Sequence, residues 1–391
     1  MAIEGTAGPA GRRIRLGMVG GGRDAFIGAV HRIAARMDDQ FALVAGCFSA
    51  TPEKSRASGA DLGLDPARVY DDVESMARRE GRLKDGVEAV AIVTPNHHHL
   101  DAALPFLRRG VHVICDKPLT ATLAQARRLA AAAARSRALF VLTHNYTAYP
   151  MVRQARAMVA AGALGPIRLV QAEYAQDWLS APLEGTGHKQ AGWRTDPARS
   201  GAGGCIGDIG THAHNLACFV TGLRVESLAA DLQAFVPGRR LDDNAHVLLR
   251  FEGGARGMIW ASQVAPGHEN GLRLRVYGER GGLEWAQEEP NHLWHAPLGE
   301  PKRLLTRAGH GAGPEAARLS RIPAGHPEGY LEGFANLYAE AARLMRAHAA
   351  GAAPDPAVHA PTVADGLAGV AFVDACVRSS ARNGAWVRPA F

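Results

Sequence analysis

The sequence predicts an α/β protein: an N-terminal Rossmann domain with a doubly wound parallel sheet, then an α+β domain with a large, mostly antiparallel open sheet. Apolar runs alternate with amphipathic helical patterns over the first ~145 residues, as in a parallel sheet covered by helices. Longer segments with period-2 alternation follow, as in antiparallel strands that have two different faces. A length of 391 residues is sufficient for two such cores.

The predicted dinucleotide-binding domain spans residues 14–145, after a flexible N-terminal arm over residues 1–13. Residues 87–93 are apolar except at one position, which is typical of a strand buried on both faces of a parallel sheet. The predicted elements are strand 14–19, helix 25–37, strand 41–48, helix 54–62, strand 87–93, helix 100–109, strand 111–115, helix 123–135 and strand 139–143.

The second domain, over residues 146–391, is expected to bind the substrate and to mediate oligomerisation. Alternation in residues 246–251 gives its sheet two distinct faces, and the open face needs a partner, so we expect a homo-oligomer. Residues 297–327 predict a loop excursion. The predicted elements are helix 151–161, strands 167–176, 225–235, 244–251, 255–262, 272–277 and 282–285, and helices 206–219, 328–348 and 362–378.

Composition narrows the functional class. The net charge of +6 is spread along the chain, and its basic pairs lack interleaved aromatic residues, which argues against nucleic-acid binding. No apolar run approaches the ~18 residues of a membrane span, and the N-terminus lacks the apolar core of a signal peptide. The five cysteines form no CxxC pair, so we expect free, buried thiols in a reducing compartment and a cytoplasmic location.

A glycine-rich turn follows the first strand. The run Gly20-Gly21-Gly22-Arg23-Asp24-Ala25 matches G-x-G-x-x-A immediately before a helical pattern. Glycine lets the backbone turn sharply and approach a pyrophosphate, which then lies at the helix N-terminus. The expected cofactor contacts in this turn are Gly20, Gly22, Arg23 and Ala25.

The second strand lacks the acid that usually follows it and binds the adenosine ribose. Ser49 stands in that position, and Lys54 and Arg56 lie just beyond it. An acid at ~4 Å would repel a 2′-phosphate by several kcal/mol at an effective dielectric constant of ~20, so its absence permits NADP. Serine can equally bond a ribose hydroxyl of NAD. We therefore expect NAD or NADP, with Ser49 and Lys54 in the site, and we expect Ser49→Asp to shift the preference toward NAD.

Three adjacent histidines, His97-His98-His99, follow the third strand. Neighbouring side chains on an extended or turning chain point in different directions, and no carboxylate or cysteine cluster accompanies them. We therefore expect no metal site there.

Asp116-Lys117-Pro118 follows the buried strand 111–115. Open α/β sheets bind ligands at the carboxyl ends of their strands, so Lys117 should emerge at a crevice rather than on a free surface. A lysine there can stabilise an alkoxide that develops as a hydride leaves its carbon.

The run 203–212 ends in Asp208 and His212, which are four residues apart. In a helix over residues 206–219 this spacing places both side chains on one face. An imidazole with a pKa near ~6.5 can accept a hydroxyl proton at neutral pH. Aromatic and polar residues suited to a sugar occur nearby in sequence, because indole rings cover C–H groups and polar side chains bond hydroxyls. The substrate candidates are Tyr146, Asp177, Trp178, Lys189, Trp193 and Arg194, and Asn145 is assigned to the cofactor site.

Three of these motifs occur in the order glycine turn, Asp116-Lys117-Pro118 and run 203–212. In this order they resemble the glucose–fructose oxidoreductase/inositol dehydrogenase/rhizopine-catabolism (Gfo/Idh/MocA) family. The resemblance covers the chain except residues 1–13 and 297–327. Family members carry Glu-Lys-Pro where this chain has Asp116-Lys117-Pro118, which is a conservative change. They often have Arg-Phe where this chain has Thr147-Ala148, so the resemblance does not extend to the identity of the substrate.

The resemblance also implies roles for individual residues. Thr94, Pro95, Asn96, His99 and Asp116 would line the cofactor site. Lys117 would be catalytic and bond both the substrate hydroxyl and the nicotinamide ribose. The D-x-x-x-H pattern would make Asp208 and His212 the substrate and proton-transfer site, with Trp193 and Arg194 close by.

We therefore expect an NAD(P)-dependent dehydrogenase that oxidises a secondary hydroxyl of a sugar or cyclitol, without nucleic-acid or membrane partners. His212 would take the proton, Lys117 would polarise the oxygen, and Asp208 would orient both. Two alternatives remain. A lyase or glycosidase of the same fold would use tightly bound NAD transiently. A non-enzymatic, sugar-responsive regulator is disfavoured because a sensor needs no proton-transfer groups.

Overall fold

The computed structural model describes residues 11–390, so most of the predicted arm over residues 1–13 lies outside the described residues. Arg12 and Arg13, at its end, are ion-paired with Glu88 (2.5 Å) and Asp39 (2.7 Å). The chain divides into two compact units. Unit 1 runs to Thr120 and adds Ala124–Asn145 and Tyr330–Gly366; unit 2 comprises Ala121–Leu123, Tyr146–Gly329 and the chain from Leu367.

The strands of unit 1 form the predicted parallel sheet, in the order β2-β1-β3-β4-β5. In chain order they are β1 (Ile14–Gly20), β2 (Phe41–Cys47), β3 (Ala89–Val93), β4 (His112–Cys115) and β5 (Phe140–Leu142). Every residue of the central strand β3 is buried, as its apolar sequence predicts.

In the part of the chain that the structure describes, six helices belong mainly to unit 1: α1 (Phe26–Met37), α2 (Pro52–Asp61), α3 (Val73–Glu80), α4 (His99–Leu107), α5 (Leu123–Arg135) and α11 (Tyr330–Ala349). Helix α3 was not predicted from the sequence because it is short and mostly polar. Only Met76, Ala77 and Glu80 of α3 are buried, and Glu80 is ion-paired with Arg68 and accepts a hydrogen bond from Tyr70 (2.8 Å).

Helix α11 packs in unit 1, although its segment was predicted to belong to the second domain. Its apolar residues, among them Phe334 and Tyr338, join one buried cluster with Val30 and Ala34 of α1 and Phe41 of β2. The helical periodicity of the sequence identifies an apolar face on α11 but not the sheet that this face covers.

Over the described residues, unit 2 contains a mostly antiparallel sheet of eight strands in the order β13-β12-β11-β10-β6-β9-β8-β7, in which only β6 and β9 pair in parallel. In chain order they are β6 (Ile167–Ala175), β7 (Val225–Gln233), β8 (Asn244–Phe251), β9 (Arg256–Ser262), β10 (Gly271–Gly278), β11 (Gly281–Ala286), β12 (His292–Pro297) and β13 (Arg303–Thr306). This is the predicted α+β architecture.

The remaining helices are α6 (Pro150–Ala160), α7 (Lys189–Arg194), α8 (Pro197–Ser200), α9 (Thr211–Thr221), α10 (Pro314–Ala317) and α12 (Val363–Ser380). Strand β13 and helix α10 lie within residues 297–327, where the sequence predicted a loop. Each is four residues long, too short for a periodic pattern. The segment is anchored by the buried Arg307, which pairs with Glu328 (2.9 Å).

No helix within residues 11–390 combines the length and the apolar character that crossing a bilayer requires. The five cysteines are unbridged, and all except Cys218 are buried.

The glycine turn after β1 is held by direct contact between two stretches of backbone. Gly20 and Gly21 have φ values of 79° and 71°, which favour glycine. The backbone that contacts this turn is that of Gly28 inside α1, where an added Cβ would overlap the backbone of Gly21. Thus Gly28, rather than Ala25 of the predicted motif, supplies the close approach between helix and turn.

Gly28→Ala should destabilise unit 1, although alanine is the better helix former by about 1 kcal/mol. The overlap with Gly21 should outweigh that propensity and lower the free energy of unfolding by about 1–3 kcal/mol. Thermal unfolding of the purified protein measures the effect. Gly192→Ala in α7 is the matched control, because a Cβ there meets open space. Equal melting temperatures for the two variants would contradict the proposed contact.

Candidate functional site

The N-terminus of α1 is suited to binding an anion. Its N-cap, Ala25, makes no side-chain hydrogen bond, and its first turn contains no acid, so the positive end of the helix is not compensated. A Cβ on Gly22 would lie 2.6 Å from Ser58 Oγ and 2.9 Å from the Phe48 carbonyl, so only glycine fits there. This geometry fits the pyrophosphate of a dinucleotide.

The basic residues next to this turn already have acidic partners. Arg23 pairs with Asp61 (2.5 Å), Lys54 with Asp24 (2.8 Å) and Arg56 with Asp71 (2.8 Å). If Lys54 or Arg56 turned toward a 2′-phosphate, as expected from the sequence, it would therefore lose its ion pair. Ser49 follows β2 as predicted, and its Oγ accepts a hydrogen bond from the Thr51 backbone N–H (3.1 Å).

Thr94, Pro95 and Asn96 follow β3 at the carboxyl edge of the sheet, where the sequence placed the cofactor wall. The Thr94 hydroxyl oxygen is buried and has no hydrogen-bond partner within the described part of the chain. Such an orphaned polar atom is expected where a ligand supplies the missing bond.

His99 contacts the backbone of two loops, those that follow β3 and β4. Its side chain is fully buried, with Nδ1 2.8 Å from the Pro118 carbonyl oxygen and Nε2 2.9 Å from that of Thr94. Burial lowers the pKa of His99, while the charge of Asp116 opposes that shift. Both ring nitrogens contact backbone, so His99 supports the predicted cofactor wall and the loop of Lys117.

The carboxylate of Asp116 organises the loop that carries Lys117. Its Oδ1 accepts hydrogen bonds from the Lys117 backbone N–H (3.0 Å) and from the Thr143 hydroxyl (2.9 Å). The fully buried His31 lies behind it, with Nε2 3.7 Å from Oδ1, and Nδ1 of this histidine is 2.8 Å from the hydroxyl of Tyr338. Helix α11 thereby reaches the Lys117 loop through two side chains.

Asp116 stays ionised at neutral pH. Burial raises its pKa, but His31 and the charge of Lys117 act more strongly together and lower the pKa to about 2. The carboxylate thus presents a fixed negative charge next to Lys117. Asn145, the predicted cofactor residue at the end of this unit, is buried.

In unit 2, Asp242 fixes the start of the segment that carries Asp208. Its carboxylate accepts hydrogen bonds from the backbone N–H groups of Gly204 (2.6 Å) and Ile206 (2.8 Å) and from the Cys205 thiol (3.1 Å). Burial raises the pKa of Asp242, and the backbone hydrogen bonds oppose that shift. Only glycine fits at Gly204, because a Cβ there would overlap the Asp242 carbonyl oxygen.

The segment that carries Asp208 is π-helical over Ile206–Gly210, and the α-helix α9 begins at Thr211. The sequence had predicted one α-helix over residues 206–219. The wider π-helical turn changes the relation between Asp208 and His212, so the four-residue spacing does not by itself place them on one face. Single π-helical turns occur frequently at functional sites.

The carboxylate of Asp208 is held by two side chains. Its Oδ2 accepts hydrogen bonds from Arg194 Nε (3.2 Å) and Gln263 Nε2 (2.9 Å). Arg194 also bonds Gln190 and stacks on the ring of Trp193, with its guanidinium carbon 4.3 Å from the ring centroid. The structure thus brings together three of the predicted substrate residues.

His212 lies against two tyrosine rings, which also contact each other. Its ring centroid is 4.8 Å from that of Tyr146 and 6.1 Å from that of Tyr174, both in edge-on arrangements. The hydroxyls of the two tyrosines are 2.7 Å apart. Tyr146 was predicted, whereas Tyr174 was missed because alternation in β6 gives no functional signal.

Of the other predicted substrate residues, Asp177 and Trp178 follow β6, and Lys189 is the first residue of α7. Asp177 accepts a hydrogen bond from the Gly267 backbone N–H (3.3 Å), and Trp178 donates to Gln176 (3.1 Å). His214, on the same helix as His212, is a packing residue: its ring stacks on Phe372, and burial lowers its pKa to about 4. Within residues 11–390, no group of three or more His, Cys, Asp or Glu side chains is arranged to hold a metal ion.

Comparisons with known proteins agree with this architecture. Residues 14–155 match the family described as "Oxidoreductase family, NAD-binding Rossmann fold", and residues 152–284 match the "GFO/IDH/MocA C-terminal domain". A crystal structure of an oxidoreductase from Sinorhizobium meliloti is 64% identical, with a TM-score of 0.89, and the match covers 97% of this chain and 100% of that one.

Two further relatives have named ligands or activities. An inositol dehydrogenase homologue from Azotobacter vinelandii, crystallised with NADH and myo-inositol, is 40% identical, with a TM-score of 0.89, over 96% of this chain and 98% of that one. The levoglucosan dehydrogenase of Pseudarthrobacter phenanthrenivorans is 25% identical over 96% of this chain and 98% of its own length. This chain therefore belongs to the Gfo/Idh/MocA family of NAD-binding oxidoreductases.

Proposed function

We propose that this protein is an NAD-dependent dehydrogenase that oxidises a secondary hydroxyl of a cyclitol or sugar. The observation that carries the proposal is His212, packed against two tyrosine rings on the helix that follows the anchored carboxylate of Asp208. Relatives crystallised with myo-inositol or levoglucosan, each with NADH, support the substrate class.

The proposed division of labour follows from the chemistry of each side chain. A bound nicotinamide cofactor would supply the hydride acceptor. Lys117 bonds the reacting hydroxyl oxygen and stabilises its developing negative charge. His212 accepts the hydroxyl proton as general base. Asp208 orients the substrate and His212, while Arg194 and Gln263 hold Asp208 in place.

The residues of unit 1 fit the cofactor. The open N-terminus of α1 would bind the pyrophosphate, the Thr94 hydroxyl would gain a partner, and Ser49 would bond the adenosine ribose. Asp116 keeps a negative charge next to Lys117 and fixes the backbone from which that lysine projects.

A substrate screen tests the proposal. Purified protein is incubated with inositols, hexoses, glycosides and anhydro-sugars, each with NAD and with NADP, and reduced nicotinamide is followed by its near-ultraviolet absorbance. We expect a net increase in absorbance with at least one cyclitol or sugar. Conversion of a substrate without that increase would instead indicate a lyase or glycosidase that uses NAD transiently.

Lys117→Ala should lower kcat at least ~100-fold, because the charge that stabilises the alkoxide is lost. Steady-state kinetics with the substrate from the screen measures the loss, and NADH binding followed by fluorescence shows that the cofactor site survives. Lys84→Ala, at an exposed lysine of the same unit, is the control. Near-normal turnover of Lys117→Ala would remove this lysine from the mechanism.

We further infer that NAD is preferred over NADP, because Lys54 is already paired with Asp24. Asp24→Asn should free Lys54 for a 2′-phosphate and raise the ratio of kcat/KM for NADP to that for NAD by about tenfold, equivalent to ~1.4 kcal/mol. Asparagine tolerates the φ of 63° at this position, so the backbone should be kept.

The control is Asp39→Asn, which removes an ion-paired aspartate with a similar φ of 53° from the opposite end of α1. An unchanged ratio in Asp24→Asn would show that the pair does not set the preference. A wild-type protein that prefers NADP would contradict the inference directly.

We also propose that the open face of the large sheet is a homodimer or homotetramer interface. Large apolar side chains from neighbouring strands, including Leu248 and Met258, which pair across β8 and β9, are 41–56% exposed on this face.

Light scattering at micromolar concentration should give a multiple of 41.4 kDa. Leu248→Lys with Met258→Lys should reduce that mass, whereas Leu298→Lys, beyond the end of β12, should not. A wild-type mass near the monomer value would contradict the assembly.

A further inference from the structure

Two buried polar side chains of unit 1 lie in line behind the carboxylate of Asp116. Tyr338 of α11 is 1% exposed, and His31 of α1 is fully buried. The Tyr338 hydroxyl is 2.8 Å from His31 Nδ1, and His31 Nε2 is 3.7 Å from Asp116 Oδ1. The mechanism proposed above uses Asp116 but gives no role to the two groups behind it.

The two ends of this line decide where its protons lie. The Asp116 carboxylate is ionised, so it can only accept hydrogen bonds. Burial and the charge of Asp116 raise the pKa of Tyr338, so its phenol is neutral and has one proton to donate. Among the described residues, His31 Nδ1 is the hydrogen-bond partner of that hydroxyl. When Tyr338 donates to Nδ1, the imidazole carries its proton on Nε2, and this N–H faces the carboxylate.

The other protonation states of His31 are unfavourable. With the proton on Nδ1 alone, the lone pair of Nε2 would face the carboxylate, and the Tyr338 proton would have no acceptor. A ring protonated on both nitrogens would leave the same tyrosine proton without an acceptor. Polar groups are costly to bury without a partner, so the geometry selects the Nε2–H form. At 3.7 Å this N–H attracts the carboxylate electrostatically, since a direct hydrogen bond would be shorter.

Three elements of unit 1 act on a single oxygen of Asp116. Its Oδ1 accepts hydrogen bonds from the Lys117 backbone N–H (3.0 Å), next to it after β4, and from the Thr143 hydroxyl (2.9 Å), after β5. His31 Nε2 faces the same oxygen from α1. Because all three converge on Oδ1, they fix the orientation of the carboxylate and, with it, the backbone N–H of Lys117.

We propose that His31 is a positioning residue for Lys117: with its tautomer set by Tyr338, it holds the Asp116 carboxylate in the orientation that fixes the Lys117 backbone. This proposal rests on the function proposed for Lys117. It requires only an N–H at the position of Nε2. An amide side chain should therefore replace the imidazole of His31, whereas an apolar side chain should not.

Three variants separate this role from simple packing. His31→Leu removes the N–H and should lower kcat at least ~10-fold, because Lys117 is no longer held in place. His31→Gln can present an amide N–H in place of Nε2–H and should stay within a few-fold of wild type. Tyr338→Phe keeps the packed ring but removes the proton donor, and it should lower kcat at least ~3-fold even if His31→Leu folds poorly.

Binding of NADH, followed by fluorescence, distinguishes positioning from displacement of α1. The N-terminus of α1 is the proposed pyrophosphate site, so a displaced helix would weaken NADH binding. We expect the Kd for NADH to stay within a few-fold of wild type in all three variants. A loss of kcat that is matched by an equal loss of NADH affinity would assign His31 to packing and overturn the proposal.

The matched control is Tyr70→Phe. The Tyr70 hydroxyl also donates from a buried position to an ion-paired carboxylate of unit 1, that of Glu80 (2.8 Å). Within the described part of the chain, no hydrogen bond links Glu80 to Asp116. We expect this variant to keep the wild-type kcat and the wild-type Kd for NADH.

The tautomer of His31 is measured without substrate. In protein labelled with ¹⁵N-histidine and saturated with NADH, the ring signals of His31 are assigned by their absence in His31→Gln. A one-bond N–H coupling should appear at Nε2 and not at Nδ1. Tyr338→Phe should shift the Nδ1 signal, whereas Tyr70→Phe should leave it in place. A proton on Nδ1, or on both nitrogens, would overturn the proposal.

The position of Lys117 is also measured without turnover. In protein labelled with ¹³C-lysine, the side-chain signal of Lys117 is assigned with Lys117→Arg. It should shift in His31→Leu and Tyr338→Phe but not in His31→Gln or Tyr70→Phe. Equal effects of His31→Gln and His31→Leu, or an unchanged Lys117 signal in both His31→Leu and Tyr338→Phe, would overturn the proposal. If the screen finds no substrate, these signals still decide the positioning role, while the proposed function fails separately.

Discussion

Both candidate sites are built where two stretches of backbone approach so closely that no side chain fits between them. In unit 1 the turn at Gly21 lies against Gly28 of α1, and in unit 2 Gly204 lies against the Asp242 carbonyl. The first approach leaves the N-terminus of α1 open to an anion. The second allows the Asp242 carboxylate to reach the backbone that starts the π-helical turn. Each close approach therefore fixes the position of the backbone segment from which its unit's site is built.

The three carboxylates of these sites differ because their neighbours differ. Asp116 has Lys117 and His31 close by, so its pKa is lowered despite burial, whereas Asp242 receives hydrogen bonds from backbone and a thiol and its pKa is raised. Asp208 differs from both because it is partly exposed and forms an ion pair with Arg194. The stabilising effect of Asp116 on the folded state is present above the unfolded-state pKa of ~4 and is lost as the pH falls toward its own pKa. Asp116 thus favours the folded protein throughout the neutral range.

The sequence predicted the elements whose patterns are local. Helix α5 has the predicted bounds, and most strands agree within two residues, because apolar periodicity and flanking glycines define them directly. Other features depend on tertiary contacts. The π-helical turn follows from capping by Asp242, which is distant in the chain, and Gln263 joins the site only through folding. Likewise, the pairing of Lys54 with Asp24 could not be inferred from the spacing after Ser49.

The position of α11 has a consequence for the order in which the protein matures. Phe334 and Tyr338 complete the core of unit 1, but they are synthesised only after the whole of Tyr146–Gly329. At 5–20 residues per second, the ribosome needs roughly 10–40 s for that stretch. During this interval the apolar face of α1 lacks its cover, and His31 lacks the hydroxyl that it contacts in the finished protein. The nucleotide-binding unit is therefore begun first but completed only after most of unit 2 has been made, and a chain released before α11 would expose an apolar surface prone to aggregation.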